Sequence, residues 1–174
     1  MEKPPSSTSA SPNPTVPQTG EEKAINKRIE KASTLLLVRD VDAHRPGAGL
    51  EVFMLERPSR GAFPGLHVFT GGKVDPADEE LVSQMNWQGP EHDEACATLG
   101  SSDSPLSYWL AAVRECYEES GVLLGQQNGN PLDEATLKDL AQSRAEEFGG
   151  LCSRLGITLN LDALVYFAHW VTPE

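Results

Sequence analysis

Short apolar runs separated by turn residues characterise the first half of the chain. Residues 32–39 (ASTLLLVR) and 51–56 (EVFMLE) are strand-like, and Pro46 and Gly47 lie in the turn-rich stretch between them. This arrangement predicts a β-hairpin with a long loop. A third short strand is expected at residues 67–70, directly before a pair of glycines.

Helix-capping residues mark the second half of the chain. Ser104 is a suitable N-cap, Pro105 suits the first helical position and Gly121 is a common terminator, so these residues bound an expected helix. Shorter segments add two expected helices, at residues 78–85 and 131–148, and two expected strands, at residues 122–124 and 164–171.

Composition divides the chain into a tail, a domain and an internal loop. Residues 1–25 are rich in Pro, Ser and Thr and predict a disordered tail, because so few apolar side chains cannot offset the entropy of ordering. Residues 31–174 predict one globular domain. Within it, residues 86–103 are polar and acidic without a period and indicate an inserted loop. The chain stops directly after its last expected strand, so we expect the closing part of the domain to be missing.

The net charge limits the class of ligand. A charge of −12 repels a nucleic-acid backbone, so no long nucleic acid is expected as a partner. A small phosphorylated ligand is compatible with an acidic site when a divalent cation lies between them. No stretch reaches the roughly 20 apolar residues of a membrane span, and no secretory signal begins the chain. Three cysteines without metal-site spacing favour a reduced, cytoplasmic setting.

One face of the helix expected after Pro105 is apolar. Trp109, Ala112, Val113 and Cys116 follow the i, i+3, i+4, i+7 rule and predict the buried stripe. Cys116 is therefore expected to be a small core residue.

A neighbouring face of the same helix carries three glutamates. Glu115, Glu118 and Glu119 are spaced i, i+3, i+4, so their like charges repel, and Arg114 can relieve part of this by pairing with Glu118. Three hard oxygen donors within one turn suit Mg²⁺ or Mn²⁺ beside phosphate oxygens. Taken alone, such a run is more often a solvated helix face.

The residues around these glutamates resemble the Nudix hydrolase family. The family signature is G-x5-E-x7-R-E-U-x-E-E-x-G-U, where U is apolar, and the run RECYEESGV at residues 114–122 matches every specified position of its second half. The first half matches in part over residues 72–78, and the preceding FPGLHVFTGG resembles the strand and Gly-Gly turn before the Nudix helix. The resemblance implies a Nudix-type α/β/α sandwich with a mixed sheet.

Two features depart from the family pattern. Asp78 stands where the family has Glu, and 35 residues rather than seven separate Asp78 from Arg114. Such an insertion, together with the GGKVDP and HWVTP runs, resembles the coenzyme A diphosphatase-like branch of the family, although that branch usually has Pro where this chain has Thr70. The insert, at about residues 79–104, is expected to be a surface excursion whose replacement by a short link preserves folding.

The resemblance implies roles for the acidic face. Glu115 and Glu119 are the expected metal ligands together with Glu118, and the carbonyl of Gly71 or Gly72 is expected to complete the shell around Mg²⁺ or Mn²⁺. Glycine suits that position because the backbone must approach the metal without a Cβ in the way.

The resemblance also implies the reaction. Arg114 is expected to orient the glutamates, and Glu118 is a candidate to take the proton of the attacking water. The substrate is expected to be a small nucleotide-like diphosphate, with coenzyme A or an acyl derivative favoured. Dinucleotides, nucleotide sugars or damaged nucleotides are alternatives, as is a Nudix module that binds a nucleotide or partner without hydrolysis. An oligomer is compatible with the sequence.

Overall fold

A computed structural model describes residues 30–42, 44–45, 49–60, 63–100, 103–142 and 148–169. The tail predicted at residues 1–25 lies outside the described residues. Within the described ranges, no helix combines the length and the hydrophobicity that a membrane span requires.

Strands dominate the first part of the described chain and helices the rest. The strands are β1 (Ala32–Leu35), β2 (Val38–Asp40), β3 (Leu50–Val52), β4 (Leu55–Glu56), β5 (His67–Val68), β6 (Thr70–Lys73), β7 (Asn86–Gln88), β8 (Gly125–Gln127), β9 (Asn130–Pro131) and β10 (Ile157–Asn160). The α-helices are α1 (Pro76–Gln84), α2 (His92–Leu99), α3 (Pro105–Ser120), α4 (Glu134–Gln142) and α5 (Phe148–Leu155).

The predicted hairpin forms only between β2 and β3, which pair antiparallel. The outer parts of its two expected strands pair elsewhere, since β4 is antiparallel to β5 and β1 is antiparallel to β6. In the last ladder Leu35 lies opposite Thr70 and Thr34 lies opposite Gly71. The Thr70 hydroxyl also donates to the Leu35 carbonyl at 3.3 Å. This register fixes the position of the glycine pair, which lies inside β6 rather than after it.

A mixed four-stranded sheet has the order β7-β10-β8-β9. β7 runs parallel to β10, whereas β8 is antiparallel to both β10 and β9. Asn128 and Gly129 connect β8 to β9 with φ values of 52° and 75°, as a two-residue type I′ turn requires. The expectation of an α/β fold with a mixed sheet is confirmed.

The prediction of a loop at residues 86–103 was wrong, because this segment contains β7 and α2. The Trp87 indole donates to the Val82 carbonyl at 3.2 Å, and Ala95 is fully buried in the core. A strand of three residues and a helix of eight offer too few positions for a period to show. The polar composition reflects the outer side of α2, where the acidic side chains are exposed.

Two other boundaries were wrong. Residues 122–124 have no regular structure, and β8 begins only at Gly125. Within the helix expected at residues 131–148, α4 begins only after Asp133 and is described to Gln142, residues 143–147 lie outside the described residues, and α5 begins at Phe148. The Asp133 carboxylate accepts a hydrogen bond from the amide of Thr136 at 2.7 Å and so marks the start of α4.

The strand expected at residues 164–171 does not form over residues 164–169, and the last two positions lie outside the described residues. The side chains of Val165 and Phe167 are 89% and 84% exposed. Apolar alternation encodes the faces of a strand but not its partner. A strand that the sequence did not lead us to expect, β10, forms shortly before these residues and pairs with β7 and β8.

α3 organises the core. It packs on β1, β6, α1 and α2. The predicted stripe is confirmed, since Trp109, Ala112, Val113 and Cys116 are all buried. The other elements add buried apolar side chains to the same cluster, namely Met85, Ala95, Leu140, Phe148, Leu151, Cys152, Ile157, Leu159 and Leu161.

Candidate active site

Two glycines of β6 lie against the C-terminal half of α3. The Gly71 amide donates to Oε2 of Glu119 at 3.0 Å. Gly72 approaches Glu115 so closely that an ideal Cβ on the glycine would lie 2.4 Å from the carboxylate carbon. Because these glutamates are four residues apart on α3, both meet the same short stretch of β6 backbone.

Neither glycine tolerates a side chain without movement of its neighbours. Gly71 has a φ of 152°, and a Cβ there would come within 2.3 Å of the Ser33 carbonyl oxygen. A Cβ at Gly72 would occupy the space of the Glu115 carboxylate. The glycines therefore permit a close approach of backbone to carboxylate. The role of a glycine carbonyl as a metal ligand stays a prediction.

Arg114 holds the acidic side chains around it. Its Nε and Nη2 donate to Asp78 at 2.8 and 3.0 Å, and Nη2 also donates to the Lys73 carbonyl at 3.1 Å. Its Nη1 lies 2.9 Å from Glu115 and 3.0 Å from Glu118. The predicted pairing of Arg114 with Glu118 is confirmed. Hydrogen bonding to Asp78 raises the pKa of Arg114 above its usual value, so this guanidinium stays charged.

Asp78 anchors this network from α1. Its side chain is fully buried and accepts the Asp75 amide at 2.8 Å, while the Asp75 carboxylate accepts the Ala77 amide at 2.8 Å. These reciprocal bonds form a capping box at the start of α1. The substitution of Asp for the family's Glu thus leaves a carboxylate that reaches Arg114, because α1 begins soon after β6 ends.

Burial and nearby charges act on the pKa of Glu118. Loss of water around the side chain raises the pKa of Glu118, the attraction of Arg114 lowers it in part, and the charges of Glu115 and Asp78 raise it again. A carboxylate with a raised pKa is a better proton acceptor than an ordinary surface glutamate.

The donor set fits a divalent cation in its chemistry. Glu115 and Glu119 both lie against the Gly71-Gly72 backbone, which brings two carboxylates to one short stretch of main chain. These hard oxygen donors are the kind that Mg²⁺ and Mn²⁺ take. Across the described residues, however, no three acidic, histidine or cysteine side chains are close enough together to form a complete ligand set. In the present arrangement Glu118 is held by Arg114 instead.

Asp75 was not among the site residues expected from the sequence. The run DPAD carried the signal, since an acidic residue followed by Pro and by a second carboxylate three positions later is a helix-start pattern. The Lys73 carbonyl, which accepts from Arg114, was not expected either. A backbone acceptor has no sequence signal of its own.

Known proteins that are similar in sequence to this chain share one name. No family model matches the chain. The chain is 26% identical over 170 residues to the acyl-coenzyme A diphosphatase NUDT19 of Homo sapiens, a match that covers 74% of this chain and 44% of that protein. The protein of the same name from Gallus gallus is 29% identical over 187 residues, with coverage of 82% and 50%. The chain thus spans about half the length of the curated relatives it matches.

A solved structure shows the same fold. The crystal structure of a Nudix hydrolase from Alicyclobacillus acidocaldarius matches with a TM-score of 0.50 and 26% identity, covering 76% of this chain and 57% of that one. The family resemblance inferred from the run RECYEESGV is confirmed by sequence and by structure. The chain has a Nudix-type α/β fold, and in sequence it resembles the Nudix hydrolases of the acyl-coenzyme A diphosphatase branch.

Proposed function

We propose that the chain carries the catalytic centre of a metal-dependent Nudix hydrolase that splits the diphosphate linkage of coenzyme A or an acyl derivative. The observation that supports this most directly is the contact of Glu115 and Glu119 with the Gly71-Gly72 backbone. The similarity to proteins named acyl-coenzyme A diphosphatase supports the choice of substrate. Water and coenzyme A would yield 3′,5′-ADP and 4′-phosphopantetheine.

Metal binding, proton transfer and positioning would fall to different residues of the site. Glu115, Glu119 and a carbonyl of Gly72 would hold Mg²⁺ or Mn²⁺, with Glu118 able to join them. A bound divalent cation would neutralise the diphosphate and make a bound water more acidic. Glu118 would accept the proton of that water, for which its raised pKa suits it. Arg114 would keep Glu115 and Glu118 in place through their ion pairs.

Product analysis tests the proposal. The chain is incubated with coenzyme A and Mg²⁺ or Mn²⁺ in H₂¹⁸O, and the products are identified by mass spectrometry. We expect a nucleotide and a phosphopantetheine, one of which carries a single ¹⁸O. Release of inorganic phosphate in place of these products would show a different bond to be cleaved.

A second candidate is a Nudix enzyme for dinucleotides, nucleotide sugars or damaged nucleotides. The acidic face would bind only the metal and the diphosphate, so it does not distinguish the groups attached to the diphosphate. A third is a binding module without hydrolysis, supported by the lack of a gathered ligand set in the described residues. Parallel assays with NADH, ADP-ribose and an oxidised nucleoside triphosphate separate these candidates by the ratio of kcat/KM. Binding without turnover of any of them supports the third.

The amino-acid composition supports the kind of substrate and the location of the protein in the cell. The acidic charge supports a small anionic substrate that binds through metal, rather than a long nucleic acid. The three cysteines are free, which supports a cytoplasmic setting. Fractionation of cells that express the chain, with a soluble marker enzyme as reference, tests that location.

A further inference from the structure

A groove of about 500 Å³ separates α1 from α5. Its lining combines apolar residues, namely Ala77, Leu81 and Leu151, with polar ones, namely Glu80, Gln84 and Arg154. The two helices lie close together at Gly149, where an added Cβ would lie 2.3 Å from Leu81. At Gly150 an added Cβ would meet nothing within 4 Å, so this position faces open space.

The polar side chains of the groove make no polar contact with one another or with the rest of the described chain. Glu80 and Arg154 carry opposite charges, yet in the part of the chain that the structure describes neither side chain has an ion-pair or hydrogen-bond partner. The side chain of Gln84 is likewise exposed and has no partner there. One donor, one acceptor and one amide that is both are therefore available to a ligand.

The groove and the candidate active site share helix α1. Ala77 lines one end of the groove, and the next residue, Asp78, binds Arg114, which in turn contacts Glu115. The groove residues of α1 extend from Ala77 to Gln84, a length of roughly 10 Å at the helical rise per residue. A substrate arm that leaves the diphosphate along α1 would reach the groove at its Ala77 end.

We propose that this groove binds the amide-bearing arm of the substrate, which in coenzyme A is the pantetheine arm; this inference rests on the proposed function. Such an arm alternates methylene groups with amides. The apolar lining residues suit the methylenes, while Glu80 accepts an amide N–H and Arg154 donates to an amide carbonyl. The Glu80 carboxylate opposes a phosphate, and the lack of any aromatic side chain in the lining leaves a base with nothing to stack on.

Filling the groove tests the inference. Gly150→Phe places a bulky side chain into the open space, whereas Ser153→Phe puts the same side chain on an exposed position of α5 that does not line the groove. The KM of coenzyme A is divided by that of ADP-ribose, a diphosphate without the arm. We expect this ratio to rise about fivefold or more in Gly150→Phe and to stay at the wild-type value in Ser153→Phe. A change below twofold in a folded Gly150→Phe variant would overturn the proposal.

A binding experiment separates failure of this inference from failure of the proposed function. Pantetheine, which lacks the diphosphate, is titrated by NMR into the wild-type chain and both variants without metal. Saturable binding that is lost in Gly150→Phe and kept in Ser153→Phe supports the groove even if no diphosphate is hydrolysed. Equal shifts in all three proteins, or none in the wild type, contradict it even if coenzyme A is a substrate. Melting temperatures show whether each variant folds.

Discussion

Arg114 on α3 binds the fully buried Asp78 of α1 through two hydrogen bonds, of 2.8 and 3.0 Å. The same arginine contacts Glu115 and Glu118, while the same aspartate accepts an amide at the start of α1. One ion pair therefore joins the capping of a helix to the placement of the acidic face.

Removal of Asp78 should destabilise the fold. We expect Asp78→Ala to lower the free energy of unfolding by about 3 kcal/mol or more, because it leaves Arg114 buried without its main partner. Urea denaturation followed by circular dichroism measures the loss. The double variant Asp78→Ala/Arg114→Met should lose less than the sum of the single variants, since it removes both charges. Strict additivity would show that the two side chains are not coupled.

The metal-face assignment predicts the effect of neutral glutamate replacements. Glu119→Gln should lose more than about tenfold in kcat at saturating Mn²⁺, because it removes a ligand charge but keeps the shape. The amide oxygen can still accept from Gly71, so the melting temperature should stay near the wild-type value. Glu115→Gln should behave similarly. Retention of more than about a tenth of kcat in either variant counts against the assignment.

Gly72→Ala should impair the site through a steric effect. Its Cβ would lie 2.4 Å from the Glu115 carboxylate, so the carboxylate must move. We expect weaker Mn²⁺ binding and a lower kcat, both measurable on one preparation by calorimetry and a steady-state assay. Gly49→Ala is the matched control, because its Cβ would make an ordinary 3.4 Å contact with Val41. Equal behaviour of the two variants would mean that Glu115 moves aside without consequence.

Replacement of the segment that joins the two halves of the Nudix signature should unfold the protein. A short Gly/Ser link in place of residues 86–103 would remove the parallel partner of β10 and the fully buried Ala95. The change in loop length itself costs only about 0.6 kcal/mol per doubling, so lost packing decides the outcome. Circular dichroism and proteolysis measure it. A cooperative unfolding transition in the shortened chain would show that the segment is dispensable, as the sequence alone had suggested.

The cysteines should differ in reactivity. Burial raises the pKa of Cys152 to about 12, and Cys116 is also fully buried, whereas Cys96 is partly exposed. At pH 8 we expect a thiol reagent to label one cysteine in the native protein and three after denaturation. Rapid labelling of a second native thiol would contradict the packing of α3 or α5.

The Cys152 thiol also sets a pH dependence. Its folded pKa, about 12, lies above its ordinary value of 9.0. The contribution of the neutral thiol to stability is therefore complete below pH 9 and is lost as the pH rises towards 12. Denaturation at pH 8 and pH 10.5 should show a steeper loss for the wild type than for Cys152→Ala.

The sequence by itself determined α3 and the chemistry on it. The stripe of Trp109, Ala112, Val113 and Cys116, the helix start at Pro105 and the spacing of the glutamates are local features of one long helix, so they could be recognised without the rest of the fold. Ser104 precedes the helix as expected, but its side chain makes no capping hydrogen bond. The glycine pair was recognisable for the same reason, as a motif of adjacent residues. The run RECYEESGV then led to the Nudix resemblance that the comparisons confirm.

Tertiary structure alone decided which distant residues meet these features. Asp78 lies 36 positions from Arg114, and the register of β1 against β6 determines where Gly71 meets Glu119. The tertiary structure also determines which apolar segments form strands. β10 forms because β7 and β8 flank it, whereas the equally apolar residues 164–169 have no ladder partner in the described chain. A strand depends on hydrogen bonds to residues remote in sequence, whereas a helix makes its own.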